Sequence, residues 1–299
     1  MKHLILFLIF FCLFTTAAQS QINSPADDPL RVIAIFAHPD DADFKMAGTA
    51  IQMAQAGHQV KYLSITNGNA GHHEMGGGVL AKRRRAESQE AARRTGIAEY
   101  EVWDYDDAKL MPTLDIRMEV IRAIREWNAD VVLGLRPNDY HPDHRNAGKL
   151  VIDASYMVIV PNVVSDTPPL ENNPVFLYMQ DGFSKPNPFS HDIVVGFNDD
   201  VFETKARGLD AHESQVYEWM PWTSGMLDQV PEDEEERFEW LKTTFLGWSS
   251  VSDEQRSGLE KWYGAERATE FKYAESFEIA EYGHYPTDEE IRMIFPMLD

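Results

Sequence analysis

Segments typical of buried strands and of helices alternate through the first two-thirds of the chain. The apolar run Val32–Ala37 predicts a strand, while Lys45–Ala56 has apolar residues at helical spacing and is followed by a glycine, a common C-terminal cap. This alternation predicts right-handed βαβ units and an α/β fold, with a mostly parallel sheet and helices on both faces. The other predicted strands are Gln59–Thr66, Tyr100–Trp103, Val131–Leu135, Val175–Met179 and Ile193–Val195, and the other predicted helices are Val79–Thr95, Asp115–Trp127, residues 144–158 and Asp199–Trp219.

The alternation fades from Pro221 onwards, where the chain becomes aromatic and acidic. A chain of 299 residues with 43% hydrophobic residues is long enough for a sizeable core in one or two domains. We expect residues 21–299 to form a single domain with a core at about residues 31–220. A helical, aromatic C-terminal extension at about residues 221–299 would pack on this core, and a separate small lobe is the alternative.

Residues 1–20 have the features of a secretory signal peptide. A short positively charged start precedes the apolar run Leu4–Phe14, which is brief for a membrane span, and small residues follow it up to Ser20. We expect cleavage near Ser20 and a secreted or periplasmic protein without stable membrane insertion; an uncleaved anchor is the alternative. Because the single cysteine, Cys12, lies in this segment, disulfides and thiolate chemistry are excluded for the mature chain.

The formal net charge of the chain is −22, and its densest acidic run is residues 232–236. A surface this negative repels phosphate backbones and anionic lipids. The charge therefore argues against nucleic acid and anionic membranes as partners, and it indicates a well-solvated surface without identifying a substrate.

Two short clusters of histidine and aspartate each follow a predicted strand. His38–Asp41, with the sequence HPDD, follows the first strand, and His141–His144, with the sequence HPDH, follows Val131–Leu135. Because the carboxyl ends of parallel strands lie at one edge of a sheet, where such sheets bind ligands, we expect the two clusters to meet. Two histidines and one carboxylate, with a coordination position left to water, have the composition of a catalytic zinc site.

We expect His38, Asp41 and His144 to be the ligands of this zinc ion, which would lower the pKa of its water toward ~7. Asp40 lies beside the ligands and is the natural general base for that water. His141 would face the opposite side of the substrate, where it could polarise a carbonyl or protonate a leaving group. Taken alone, either cluster has an ordinary interpretation as a turn or a helix cap.

The paired clusters resemble the PIG-L/LmbE family of zinc-dependent N-deacetylases, whose members deacetylate N-acetylglucosamine-containing substrates. The resemblance covers roughly residues 31–220 and implies a Rossmann-like sheet. It also implies zinc ligation by His38, Asp41 and His144, with Asp40 as general base and His141 stabilising the oxyanion. The segments that carry the resemblance are Ala37–Asp41, Gly48–Thr49, Thr66–Gly71, Arg84–Glu87, His141–His144 and Ala211–Gln215.

The chain departs from the commonest family pattern just after the first cluster. Ala42 stands where the family most often has glutamate, and Asp43 comes next. Ala47 stands where a glycine pair is usual. Because that glutamate is not a zinc ligand, we expect the chemistry to be kept and the contacts around the first helix to differ.

Four further residues are candidates for substrate binding. The resemblance suggests that Arg84 reaches the site, that Asp107 bonds sugar hydroxyls and that His212 approaches the site, while His72 lies in a loop at the same sheet edge. Arg84 could instead lie on a solvated helix face, and Asp107 could be a turn aspartate. His212 could lie away from the site, and His72 could be an exposed loop histidine. Three aromatic residues could stack on a sugar ring or pack in the core: Tyr217, Trp219 and Trp222.

These observations predict a secreted zinc hydrolase that removes the N-acetyl group from an N-acetylglucosamine-containing glycan. The alternatives are a zinc amidase acting on a non-sugar or conjugated amide, and a carbohydrate-binding relative without catalysis. A nicotinamide-dependent enzyme is disfavoured, because HPDD occupies the turn where a glycine-rich GxGxxG loop would be needed. Relatives indicate that assembly into a homo-oligomer is possible.

Overall fold

A seven-stranded sheet runs through the computed structural model, which describes residues 29–298. The predicted signal peptide therefore lies outside the described residues. The strand order is β3-β2-β1-β4-β5-β7-β6, and the first five strands in this order pair in parallel. The strands are β1 (Arg31–Phe36), β2 (Gln59–Thr66), β3 (Glu99–Tyr105), β4 (Val131–Gly134), β5 (Val175–Met179), β6 (Ile193–Phe197) and β7 (Tyr273–Gly283).

Helices cover both faces of this sheet, which confirms the predicted α/β architecture. The first, second and fifth helices pack together on one face, and the third and fourth pack on the other. Strands buried on both faces are continuously apolar, as in β1, whose residues 32–36 are wholly buried. The helices are α1 (Asp41–Gln55), α2 (Gly77–Thr95), α3 (Leu114–Glu126), α4 (Pro142–Ala154), α5 (Asp199–Asp210), α6 (Met220–Thr223), α7 (Glu234–Thr244), α8 (Asp253–Tyr263) and α9 (Asp288–Ile294).

The strand order changes direction between β1 and β4. The chain moves from β1 outwards to β2 and β3, and then returns past β1 to form β4 on its other side. Right-handed crossovers place the helices of these two halves on opposite faces, which opens a crevice beyond the carboxyl ends of β1 and β4. Both histidine-aspartate clusters therefore lie at the topological switch point of the sheet.

The C-terminal extension contains helices, as expected, and it also adds a strand to the sheet. Strand β7 lies between β5 and β6 and is antiparallel to both. Its Glu275 carboxylate accepts hydrogen bonds from the backbone N–H groups of Gly48 and Thr49 at 2.9 and 2.7 Å, and from the Lys205 ammonium at 2.8 Å. The extension thus holds helix α1, which begins at the first cluster.

The predicted helix Asp199–Trp219 is interrupted, which corrects the expectation of one long helix. Helix α5 ends at Asp210, and a π-helical turn follows over Ser214–Trp219. At the start of this turn, the backbone N–H and the hydroxyl of Ser214 donate to the carboxylate of Glu87 at 2.9 and 2.6 Å. These side-chain bonds compete with regular helical bonding, which accounts for the break in the helix after Asp210.

None of the helices between residues 29 and 298 combines the length and the apolar content that crossing a bilayer requires.

Candidate active site

The three predicted metal ligands lie together at the ends of β1 and β4. The Nδ1 atom of His38 is 3.1 Å from Nε2 of His144, and that Nε2 atom is 3.1 Å from Oδ1 of Asp41. The other carboxylate oxygen of Asp41 accepts the backbone N–H of His38 at 2.9 Å, which fixes its orientation. Two imidazole nitrogens and one carboxylate oxygen therefore lie close together, and His38 and His144 also belong with His141 to a group that could hold a metal ion.

The far nitrogen of each of these two rings faces a carboxylate. Nε2 of His38 lies 3.0 Å from Asp107 and 3.5 Å from Asp143, and Nδ1 of His144 lies 3.1 Å from Asp139. Carboxylates in this position fix the tautomer and the orientation of a metal-binding histidine. Asp139 and Asp143 were not among the predicted site residues, although both lie within the stretch that precedes or contains the second cluster.

The site favours positive charge despite its burial. Burial opposes a charge on His38, but Asp107, Asp143 and Asp41 outweigh it and raise the pKa of this imidazole to about 10. Burial likewise opposes a charge on His144, while Asp41 and Asp139 raise its pKa to about 9. The carboxylates thus create a strongly negative field at the point that the two rings share.

Asp40 lies beside this point and is held by a buried arginine. Its Oδ2 atom is 3.1 Å from Nη2 of Arg84, whose side chain is only 2% exposed. Burial raises the pKa of Asp40, and the guanidinium of Arg84 opposes this rise. Gly68 lies against the guanidinium with φ +67°, and a Cβ atom there would collide with Nη1 of Arg84. The loop after β2 therefore requires glycine so that Arg84 can reach Asp40.

His141 is the N-cap residue of helix α4 and lies next to His38. Its Nδ1 atom accepts the backbone N–H of Asp143 at 3.2 Å and so caps the helix, with Pro142 in the first turn. The centres of the His141 and His38 rings are 4.6 Å apart. Burial lowers the pKa of His141, as do the nearby imidazoles of His38 and His144. The ring is thus held neutral, with Nε2 as its remaining polar atom.

A cavity of about 580 Å³ opens onto these groups. Its size lies within the range of ligand-binding clefts. Seven of the predicted site residues line it, and these are His38, Asp40, Asp41, Arg84, Asp107, His141 and His144. Two of the four candidate substrate-binding residues, Arg84 and Asp107, are thus at the cavity wall, where each also bonds to another predicted site residue.

The other two candidates for substrate binding are not at the cavity wall. His212 is fully buried, and its Nε2 atom lies 3.3 Å from the carboxylate of Asp43, which also accepts the Tyr100 hydroxyl at 2.9 Å. His72 contacts the carboxylate of Glu218 at 2.7 Å through Nε2. Both histidines therefore lie behind the wall, in contact with carboxylates rather than with the open space.

The three aromatic candidates are in different environments. Tyr217 is buried and donates its hydroxyl to Asp210 at 2.6 Å. Trp219 lines the cavity, and Trp222 stacks on its outer side with ring centres 5.3 Å apart. Trp248, which the sequence did not single out, also lines the cavity.

Comparisons with known proteins agree with the motifs. The PIG-L family model, described as GlcNAc-PI de-N-acetylase, matches residues 33–155. A diacetylchitobiose deacetylase from Thermococcus kodakarensis is 34% identical over 214 residues, which span 68% of this chain and 77% of the relative. A Bacillus cereus protein named "Probable N-acetyl-alpha-D-glucosaminyl L-malate deacetylase 2" is 28% identical over 194 residues, or 62% of this chain and 83% of that protein.

Solved structures show the same fold. An N,N'-diacetylchitobiose deacetylase from Pyrococcus horikoshii superposes with a TM-score of 0.61 at 25% identity, covering 86% of this chain and 85% of the other. A conserved protein from Thermus thermophilus, TT1542, has a TM-score of 0.57 at 20% identity, covering 86% of this chain and 97% of the other. The motifs, the fold and these relatives together show that the chain belongs to the PIG-L family of N-deacetylases.

Proposed function

We propose that this protein is a secreted zinc hydrolase that removes the acetyl group from an N-acetylglucosamine-containing glycan. The observation that carries the proposal is the position of Asp40, which is held by Arg84 at 3.1 Å inside the cavity that also holds the His38, Asp41 and His144 group. A positioned carboxylate next to a metal-binding group is what water-dependent amide hydrolysis requires.

The residues present fit a zinc ion. Two imidazoles and a carboxylate are a donor set that zinc prefers, and three protein ligands leave a coordination position open. Burying Asp40, Asp41 and Asp107 together is costly unless positive charge compensates them, and within residues 29–298 the lysine and arginine side chains that line this cavity are Lys45 and Arg84. A divalent cation between His38 and His144 would supply the missing charge, and it would take the place of the protons that these rings otherwise attract.

Zinc, when bound, supplies a Lewis acid that polarises the acetyl carbonyl and favours ionisation of water. Asp40 accepts a proton from the attacking water molecule, whose oxygen forms a bond to the carbonyl carbon of the acetamide. Arg84 opposes the rise that burial causes in the pKa of Asp40, and it holds the carboxylate in place because its guanidinium is fixed beneath the glycine loop after β2. Asp40 thus acts as the general base.

His141 stabilises the negative charge that develops on the carbonyl oxygen. Because its Nδ1 atom accepts the N–H of Asp143, its proton lies on Nε2, which can donate a hydrogen bond to that oxygen. The C–N bond then breaks as Asp40 returns the proton to the leaving nitrogen. The products are acetic acid and the free amine of the sugar, which exchange a proton to give acetate and the ammonium form, so one water molecule is consumed for each acetyl group removed.

The names of the relatives support an amino-sugar substrate, because they describe deacetylases of diacetylchitobiose and of N-acetylglucosaminyl malate. The signal-like features of residues 1–20 support action outside the cytoplasm, where polysaccharide fragments are accessible. Together they favour a glycan fragment over a cytosolic precursor.

Acetate release tests this function directly. The protein, loaded with one equivalent of zinc, is incubated with N-acetylglucosamine, N,N'-diacetylchitobiose and longer chitin oligomers, and a chelated sample is the control. We expect acetate release that requires the metal. Absence of release from all of these sugars, with zinc demonstrably bound, would overturn the sugar deacetylase and favour an amidase of another class.

A further inference from the structure

Aromatic side chains line the cavity together with the histidine-aspartate group, and Phe44, Trp219 and Trp248 are among them. We infer that these three residues form an aromatic wall that binds the sugar ring next to the one that is deacetylated. The substrate would then be an uncharged amino-sugar oligosaccharide. This inference rests on the proposed function, and it adds a subsite to the same cavity.

The wall belongs mainly to the part of the chain beyond the family model. Phe44 is in the first turn of α1, whereas Trp219 ends the π-helical turn and Trp248 lies in the C-terminal extension. All three line the cavity that contains Asp40, and the Phe44 and Trp248 ring centres are 5.9 Å apart. A ligand bound in this cavity would therefore meet aromatic side chains as well as Asp40.

Trp219 is held in place by rings stacked behind it. Its neighbour Trp222 is inclined by only 15° to it, and His73 stacks on Trp222 at 5.4 Å between ring centres. His72 stacks on His73 at 4.6 Å and is itself fixed by the carboxylate of Glu218. This support reduces the entropy that binding would otherwise cost, as expected for a preformed aromatic binding surface.

Trp248 is 64% exposed, although it is a large aromatic residue. An indole left open to water at the mouth of a cavity is a favourable surface for an apolar sugar face, because a bound ring would cover it. Trp248 already contacts Phe44 on one side. The exposed face of Trp248 is therefore the part of the wall that a bound ligand would cover.

The charges of the cavity favour an uncharged neighbour for the acetylated sugar. The lysine and the arginine that line it are both engaged: Lys45 donates to the carbonyl oxygen of Gln180 at 3.0 Å, and Arg84 contacts Asp40. Asp139 adds a carboxylate to the lining, whereas the carboxylate of Asp181 is paired with the guanidinium of Arg136 at 2.5 Å. Among the described residues that line the cavity, a carboxylate or phosphate on the second unit would therefore find no unengaged lysine or arginine to bind it.

Substrate-length dependence tests the subsite. The ratio of kcat/KM for N,N',N''-triacetylchitotriose to kcat/KM for N-acetylglucosamine is measured for the wild type, W219A and W248A. We expect each substitution to lower this ratio about tenfold, mostly through KM, because loss of a stacking aromatic commonly costs this much. Tyr156→Ala removes an aromatic residue that is 65% exposed and does not line the cavity, so it should leave the ratio unchanged.

An equal loss on both substrates, or no loss in W248A, would overturn the aromatic subsite while leaving the deacetylase intact. Binding of triacetylchitotriose to the zinc-loaded protein, measured by calorimetry, separates the two proposals when hydrolysis fails. Binding that W248A weakens would support the subsite without deacetylation. Absence of binding, or tighter binding of N-acetylglucosaminyl malate than of the trisaccharide, would overturn the subsite.

Discussion

The guanidinium of Arg84 lies 3.1 Å from the carboxylate of Asp40, and both groups are buried. Arg84 reaches this position from helix α2 because the loop after β2 passes over it at two glycines, Gly68 and Gly71, where an added Cβ would crowd the guanidinium. The ion pair therefore joins the first two βα units of the chain, β1–α1 and β2–α2. It also provides positive charge next to the proposed general base.

Replacing Arg84 with glutamine should shift the pH dependence of activity. Burial raises the pKa of Asp40 and Arg84 opposes this, so removal of the guanidinium raises the pKa further. Because the base must be ionised, the acidic limb of the kcat/KM profile should move to higher pH, with a loss of about 10–100-fold at neutral pH. The measurement is the pH profile of acetate release.

Arg93→Gln is the matched control for this variant, since Arg93 lies on the same helix with its side chain 72% exposed. It should keep the wild-type profile. Circular dichroism would establish that the Arg84 variant is folded. An unmoved acidic limb in a folded, zinc-loaded variant would contradict the proposed role of Arg84.

Asp40→Asn should retain zinc and lose turnover. The amide keeps the shape of the side chain but cannot accept the proton of water, so we expect a loss of about 10²–10⁴-fold in kcat. Metal content by elemental analysis and acetate release under the same conditions separate binding from catalysis. Near-normal turnover would rule out Asp40 as the base, and loss of zinc would instead make it a ligand.

Asp139→Asn should weaken zinc binding. Asp139 lies 3.1 Å from Nδ1 of His144, and loss of a carboxylate behind a ligating histidine commonly costs about 10–100-fold in metal affinity. Competition with a chelator gives the dissociation constant. Asp153→Asn is a control on helix α4, because Asp153 pairs with Arg117 away from the site. Equal affinities in the two variants would exclude this supporting role.

The two histidine-aspartate clusters could be found from the sequence because each lies in the connection from a strand into the first turn of the helix that follows it, after β1 and after β4. Because β1 and β4 are parallel neighbours, the loops that follow them meet at one crevice. The position of each cluster after its strand was therefore enough to predict that the two clusters lie close together. Nothing in the sequence around Asp139 predicts in the same way that its carboxylate lies in the site. Its contact with His144 depends on how the loop after β4 turns, which a short irregular segment does not specify.

Strand β7 could not be predicted for a related reason. It pairs in antiparallel fashion between strands that precede it by about 80 residues or more, and its sequence, YAESFEIAEYG, has acidic residues at regular positions that also suit an exposed helix. Its position is decided by tertiary contacts. Among them is the pairing of Glu275 with Lys205, which nothing local to either residue reveals.

The Lys205–Glu275 pair should contribute strongly to stability. The two side chains are 1% and 4% exposed, and the ammonium also donates to the carbonyl oxygen of Phe44 at 2.8 Å. Lys205→Met leaves a buried carboxylate without its counter-ion, so we expect a loss of about 3–5 kcal/mol in the free energy of unfolding. Denaturant titration measures this loss, and Lys272→Met, which breaks an exposed pair with Asp199, should change it little.

Adding Glu275→Leu to Lys205→Met should recover part of the loss, because the unpaired charge is removed. Recovery would be incomplete, since Gly48 and Thr49 then lose their acceptor. The same denaturant titration, applied to both single variants and the double variant, gives the coupling between the two side chains. If the double variant loses more free energy of unfolding than the two single variants lose together, the pair does not act through its charges.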